Sequence, residues 1–335
     1  MPYQNSAINL TVFLTLVLLI LVSKESYSQD PHMTQFYSVP TYTNPSMAGT
    51  GSCNGGGRVA LNYRNQWPSL PGTFVTTTAG YDQHFDKIGG GVGILLMEDQ
   101  AGEGLLTSRT VSGLFSYQIK AGHNFNIRFG LEGQFGQRSI DWYKLRFEDQ
   151  LDIEKGFVLP SKENFNTDQV QFANFSTGML GYSDNFYFGL AVHNLTEPNQ
   201  SFLDGSAFIP RRYSLHTGVV IPLDYRRNPK SSISPNVLIM KQNEFSQMNI
   251  GFYYNRGSFV SGLWFRQTLG TYANPDALMA LVGFQKDKFK FGYSYDFTIS
   301  QAKSAVFGSH EISAAIEWCA KKPVTKYKKN PCPSF

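Results

Sequence analysis

From Asn124 to Phe135 apolar and polar residues alternate without a break. Phe125, Ile127, Phe129, Leu131, Gly133 and Phe135 fall on one side of an extended chain. Asn124, Asn126, Arg128, Gly130, Glu132 and Gln134 fall on the other. Lys288–Ser300 repeats the pattern, with Phe289, Phe291, Tyr293, Tyr295, Phe297 and Ile299 opposite Lys288, Lys290, Gly292, Ser294, Asp296, Thr298 and Ser300. Glu311–Trp318 sets Ile312, Ala314, Ile316 and Trp318 against Glu311, Ser313, Ala315 and Glu317. Successive side chains of a strand point to opposite faces, so each stretch has one apolar and one polar face. Extended along the chain, the pattern predicts fourteen strands, near 58–65, 73–84, 89–97, 106–119, 124–138, 169–183, 185–194, 212–222, 231–240, 245–255, 258–268, 277–286, 288–299 and 309–318. Many exceed the usual length of about five or six residues. They approach the roughly nine to eleven tilted residues with which a strand crosses a bilayer.

The connections sort by parity. Odd ones have about 7, 8, 30, 17, 4, 8 and 9 residues and even ones about 4, 4, 1, 8, 2 and 1. Outer-membrane barrels show this asymmetry, with short periplasmic turns and longer external loops. Closure leaves no strand edge with unpaired backbone groups in lipid, and an even strand number lets the first and last strands pair antiparallel. The expected fold is all-β, a transmembrane antiparallel up-and-down β-barrel. Its Phe- and Tyr-rich faces meet lipid, and Arg128, Glu132, Lys290, Asp296 and Glu311 look into the lumen. A large secreted β-sandwich is the alternative on pattern alone.

One apolar run, Ile8–Val22, precedes all of this. Ser26-Tyr27-Ser28 then offers small residues before Gln29, as a secretory signal peptide does. The n-region lacks Lys and Arg; a single membrane anchor is the other reading, for which the run is short. The expected organisation is a cleaved signal peptide at 1–28, a periplasmic or lumenal N-terminal arm at 29–57, a barrel at 58–319 and a basic periplasmic tail at 320–335. The destination is the outer membrane of a Gram-negative bacterium.

Composition narrows the classes. Charged residues are 16% against about 25% in ordinary soluble proteins, and aromatics are 15%, which argues against disorder. The single apolar run excludes a multi-pass helical protein. A net charge of +4 is too small to argue for nucleic acid. The last residues concentrate the positive charge in Lys321, Lys322, Lys326, Lys328 and Lys329.

Several ordered pieces then resemble one family. They are Gln29-Asp30-Pro31-His32 with Thr34-Gln35-Phe36-Tyr37, Asn44-Pro45-Ser46-Met47-Ala48-Gly49, Asn62-Tyr63-Arg64-Asn65-Gln66-Trp67-Pro68 with Thr73-Phe74-Val75, Ala101-Gly102-Glu103-Gly104 and Gln137-Arg138-Ser139-Ile140-Asp141-Trp142. Later come Ala191-Val192-His193-Asn194-Leu195-Thr196, Ile233-Ser234-Pro235-Asn236, Phe289-Lys290-Phe291-Gly292-Tyr293-Ser294-Tyr295-Asp296, Gly308-Ser309-His310-Glu311-Ile312-Ser313 and the terminal Cys332-Pro333-Ser334-Phe335. Together they resemble the PorP/SprF family of the type IX secretion system of Bacteroidetes. Glu148 stands where Gly is expected, and Met33 and Met47 stand where Phe is common. The resemblance implies an outer-membrane barrel working with that machinery. Its implied partners are a periplasmic ring lipoprotein, peptidoglycan-associated components, and a large secreted surface protein such as an adhesin, or its C-terminal domain.

Candidate residues fall at the two ends. Cys53, Cys319 and Cys332 gather at the periplasmic rim if the first and last strands pair, in a compartment that permits disulfides. Three pairings are open, and no His nearby in sequence supports zinc. Phe36 and Tyr37 of the arm, with Lys321, Lys322 and Lys326 of the tail, are candidate periplasmic contacts, the tail also suiting anionic lipid headgroups. The arm either plugs the lumen or docks a ring component; a loosely ordered arm and a solvated tail are the plain alternatives. On the other side, Trp67 and Pro68, and Asp141, Trp142, Lys144, Phe147, Asp149 and Gln150 of the long 139–168 segment, are candidate contacts with the secreted partner. Loops of that length are usually functional or disordered.

No catalytic residue, metal site or cofactor is expected. Ser309-His310-Glu311 are neighbours in a strand and point to opposite faces. Gly89-Gly90-Gly91-Val92-Gly93 opens a strand rather than a helix, so it is no phosphate cradle. The acids of the long segment lack EF-hand spacing. The expected function is binding, to help secrete or anchor a large surface protein. The alternative is a diffusion channel or transporter, between which size does not decide.

Overall fold

The computed structural model describes residues 30–51, 56–102, 104–122, 124–152, 154–162, 167–203, 205–224, 231–270, 273–300 and 306–319. The expected signal peptide and basic tail, with Lys321, Lys322 and Lys326, lie outside them, as do Cys53 and Cys332.

Fourteen antiparallel strands form the wall. They are β1 (Gly57–Gln66), β2 (Phe74–Phe85), β3 (Gly90–Ala101), β4 (Leu106–Lys120), β5 (Asn126–Ile140), β6 (Gln169–Tyr182), β7 (Phe186–His193), β8 (Arg212–Val219), β9 (Ser231–Gln242), β10 (Phe245–Arg256), β11 (Phe259–Leu269), β12 (Asn274–Lys286), β13 (Phe289–Thr298) and β14 (Ser309–Trp318). Each pairs with its neighbours in sequence, and β1 pairs with β14 from Gly57↔Trp318 to Gln66↔Ser309, which closes the ring. A short stub, Ile221–Pro222, extends the pairing of β9 beyond β8. Most of the strand spans expected from alternation agree with those observed to within a few residues.

The faces are sorted as the period of two requires. Leu131 is 62% exposed on the outside, whereas Glu132 next to it is 5% exposed. Glu132, Asp296 and Glu311 are buried inside, and Phe129, Phe135, Phe291, Phe297 and Ile312 are exposed outside. A globular core is thus turned inside out, because the surrounding solvent is hydrocarbon.

The long connections, 141–168 and 194–211, lie at one end with 67–73 and 299–308. The parity rule holds on average and not at every position. The β9–β10 connection at that end is the tight turn 243–244, made possible by the left-handed Asn243 at φ 51°. The 220–230 connection at the opposite end is the longest there. The long-loop end corresponds to the outside of the cell and the short-turn end to the periplasm.

Candidate functional site

The lumen is filled by the chain's own segment Asp30–Gly51. It enters the described structure at the external end, where Asp30 N donates to Gln242 Oε1 at 3.0 Å and Asn194 Nδ2 donates to Asp30 Oδ2 at 3.0 Å. It leaves at the periplasmic end, where Gly49 N donates to Asp82 Oδ2 at 2.7 Å. Between them a single helical turn, Pro40–Thr43, and a 3₁₀ turn, Pro45–Met47, fold the segment. Each begins with proline at its first position, where the missing N–H costs nothing. Asn44 caps the second turn by accepting from Ser46 N at 3.0 Å.

Among the described residues three apolar clusters lie inside the barrel, and the arm contributes to each. Phe36 joins Leu238, Tyr253, Trp264, Ala277, Met279 and Leu281. Val39 and Ala48 join Ala60, Leu95 and Leu114. Met47 joins Leu180, Tyr182 and Tyr187. The Phe36 ring meets Trp264 edge-on at 5.0 Å, a geometry favoured by the aromatic quadrupole. Full burial of such side chains is worth about 1.5–3 kcal/mol each.

Charges fix the first half of the arm. Glu311 accepts from Thr34 N at 2.7 Å, Gln35 N at 2.9 Å and Asn62 Nδ2 at 2.7 Å, and pairs with Arg64 at 3.1 Å. Asp296 accepts from Thr34 Oγ1 at 2.7 Å and pairs with Arg64 at 2.9 Å and Arg266 at 3.2 Å. Buried charges persist only when paired and hydrogen-bonded in this way. At the outer end Arg212 pairs with Asp30 at 3.3 Å and lies over the Tyr42 ring at 4.8 Å. Burial, opposed by Arg212, raises the Tyr42 hydroxyl to about 12. His32 is pushed down to about 3, first by burial and then by Arg266, Arg212 and Arg64.

The second half is held through backbone. Ala48 O accepts from Arg128 Nη1 at 2.6 Å and Ser116 Oγ at 2.7 Å. Thr43 O meets His193 Nε2 at 3.1 Å and accepts from Ser214 Oγ at 3.2 Å. Asn44 Nδ2 reaches Met179 O, Leu190 O and His216 Nε2, each at 3.1 Å. The wall facing this half is glycine: a Cβ at Gly91 would stand 2.1 Å from Ala48 O, at Gly130 2.1 Å from Ser46 N, and at Gly178 2.0 Å from Asn44 Oδ1. Part of the glycine run 89–93 is thereby explained, since Gly91 lets the arm backbone touch the wall.

Phe36 and Tyr37, expected at a periplasmic contact, are packed within the lumen instead. Tyr37 lies edge-on to Tyr253 at 5.8 Å and its hydroxyl is hydrogen-bonded to that of Tyr187. Their apolar rings find the interior cluster, which a free arm would leave in water. Cys319, just past β14, is disulfide-bonded.

The candidate partner residues sit at the external end but divide in exposure. Pro68 and Lys144 are exposed, and Trp67 is half-buried against Phe74 with ring centroids 5.8 Å apart. Trp142 donates Nε1 to Thr167 O at 3.0 Å and packs edge-on to Phe202 at 6.1 Å. Asp141 caps the turn after it by accepting from Tyr143 N at 3.2 Å. Asp149 accepts from Ser161 Oγ at 3.1 Å and from Lys162 N. Gln150 Oε1 accepts from Phe147 N at 2.9 Å, and Phe147 is half-buried. Most of these residues therefore build the loop, and its exposed surface includes Tyr143, Lys144, Arg146, Glu148, Leu151, Phe157, Val158 and Leu159. Among the described residues no group of three or more His, Cys, Asp or Glu could hold a metal ion.

The arm leaves a cavity above and below it. The external one, about 420 Å³, is bounded by Asp30, His32, Trp67, Asp99, Arg138 and Phe172 among others. The lower one, about 110 Å³, lies among Tyr37, Met47, Arg58, Tyr253, Lys290 and Glu317.

Comparison with known proteins places this architecture. Its fold is similar to a FadL homologue of Pseudomonas aeruginosa (12% identity, 88% of this chain and 99% of that one, TM-score 0.46). It is also similar to the toluene transporter TodX of Pseudomonas putida (8%, 82% and 92%, 0.45) and the outer membrane protein Omp33 of Acinetobacter baumannii (6%, 78% and 98%, 0.44). No curated protein matches the sequence significantly. The family described as type IX secretion system membrane protein PorP/SprF matches residues 25–316, most of the chain. The chain belongs to the PorP/SprF family, the outer-membrane barrel proteins of type IX secretion.

Proposed function

We propose that this protein acts by binding and not by conducting, helping to secrete or anchor a large surface protein while contacting periplasmic machinery. One observation carries the reading: Asp30–Gly51 runs the length of the lumen, hydrogen-bonded to strands around it. A diffusion channel needs a free path, and here the path is occupied by a segment whose charges are paired and whose apolar side chains complete the interior clusters.

The exposed Lys144, Pro68 and half-buried Trp67 offer the external surface for the secreted partner, and Lys321, Lys322 and Lys326 offer the periplasmic one. Purified protein in a planar bilayer should give a closed baseline; steady porin-like conductance would overturn the reading. Deleting the gene should abolish surface display of one large protein and leave small-solute uptake unchanged.

A further inference from the structure

We propose that the outer wall carries a binding site for one anionic phospholipid of the periplasmic leaflet, with Arg256 and Lys286 receiving the phosphate and the β11–β12 face receiving the acyl chains. The site lies on the lipid side of the barrel and does not depend on what fills the lumen.

The strand register defines it. Arg256, Phe259, Phe284 and Phe291 stand side by side on β10, β11, β12 and β13. The three Phe side chains are exposed on the outer face. A residue directly opposite on the neighbouring strand shares that face, so Arg256 points outward with them. Lys286 lies two residues beyond Phe284 on the same face of β12, opposite Phe289. Strand spacing and rise put the backbones of Arg256 and Lys286 roughly 12 Å apart. Both side chains are long enough to meet over one phosphate between them.

Above this foot the wall forms a shallow groove. Its floor is Ser261 and Leu263 of β11 with Ala280 and Val282 of β12. Its sides are aromatic, with Phe252 and Tyr254 on β10 and Tyr293 and Tyr295 on β13. Bulky sides around a low floor suit the chains of a diacyl lipid. Phe259 and Phe284 sit at the interface, where barrels carry their aromatic girdles.

The charges select the lipid. Outward cations toward the external end have carboxylates of their own: Arg109 pairs with Glu98 at 2.6 Å and Arg211 with Glu197 at 3.4 Å. Lys290 faces inward and is taken by Glu317 at 3.1 Å. Arg256, Lys286 and the turn residue Lys288 are exposed, and among the described residues they form no ion pair. Two carboxylates lie near, Asp287 in the same turn and Asp224 across β9, and the three cations outnumber them. Unpaired cations at the foot of an apolar groove fit an anion borne on an apolar body. Phosphate oxygens match the guanidinium fork, and basic residues at a membrane surface favour anionic headgroups. Asn255, Ser258 and Gln285, with Asp287, bound a hollow beside Lys286. A headgroup bearing hydroxyls finds hydrogen-bond partners there.

The test uses full-length protein purified in detergent and stripped of lipid by exchange. Native mass spectrometry reads bound lipid during titration with phosphatidylglycerol, with phosphatidylethanolamine of the same chains, and with inorganic phosphate as competitor. One phosphatidylglycerol should bind at least tenfold more tightly than phosphatidylethanolamine, and phosphate at equal concentration should not displace it. Arg256→Gln together with Lys286→Gln should lower phosphatidylglycerol affinity at least tenfold and erase the preference. Ala280→Phe raises the groove floor without touching a charge and should weaken both lipids. Lys87→Gln, at the same end of the barrel between β2 and β3, should change neither. Circular dichroism and heat-modified gel mobility show that each variant is folded. Equal affinity for the two lipids, displacement by phosphate, an unchanged double variant or Ala280→Phe, an equal loss in Lys87→Gln, or a second copy of the chain held in place of lipid would each overturn the proposal.

Discussion

The two halves of the lumenal arm are held by different chemistry. From Asp30 to Ser38 the arm is tied by side-chain charges: Glu311 gathers two arm amides, Asp296 takes Thr34, and Arg212 takes Asp30. From Pro40 to Gly51 it is tied largely through its backbone, with Thr43 O and Ala48 O as acceptors and glycines opposite. The first mode depends on charge partners that no neutral group replaces. The second depends on shape, so it tolerates chemical change and does not tolerate volume.

The widest break removes both halves. Excising residues 30–51 should turn a closed barrel into a conducting one in planar bilayers, and a lumen that stays closed would show that another element fills it. Next in size, Glu311→Gln keeps the shape and removes the charge. It should weaken docking of the first half by roughly 3–5 kcal/mol, the usual cost of orphaning a buried partner. Hydrogen exchange read by mass spectrometry should then show lost protection at Thr34 and Gln35 with Gly49 still protected. Gly130→Ala should reverse that pattern, because the new Cβ would meet Ser46 N at 2.1 Å. Overpacking of this kind costs about 1–3 kcal/mol, and loss should appear around Ser46 and Gly49 first.

The smallest effect concerns pH. His32 is held neutral, its pKa lowered to about 3 by burial and by Arg266, Arg212 and Arg64. A released arm would take up a proton near 6.5, so docking is at full strength above that value and weakens as pH falls from about 6.5 toward 3. Protease protection of the arm at pH 7.5 and pH 5 checks the direction, and His32→Gln should flatten it.

Much of the wall was legible because each strand carries its own evidence: every second residue from Ile127 to Phe135, or from Phe289 to Phe297, is apolar, whatever the rest of the chain does. Even the inward position of Arg128, Glu132, Asp296 and Glu311 could be read from that period. The arm has no such signature. Thr34-Gln35-Phe36-Tyr37 has no period, and its partners Glu311 and Asp296 lie 277 and 262 residues away from Thr34. One trace was available: Gly130 and Gly292 interrupt the polar faces of two regular strands, where an empty lumen would have welcomed a side chain. The candidate loop residues differ again. Asp141, Asp149 and Gln150 look like contact residues by type, yet their hydrogen bonds go to their own loop.

The seam between β1 and β14 joins the two ends of the wall, and the arm spans it. Thr34 bonds to Arg64 on β1, 30 residues on, and to Glu311 on β14, 277 residues on. In kinetic terms the first contact is local and early, while the second carries nearly the whole loop-closure cost of the chain. A β1 already loaded with its arm presents an unmatched Arg64 and two bare amides to the last strand made. In the intact chain, filling the ring and shutting it are then coupled, and intact-chain barrels should not accumulate that are sealed yet empty.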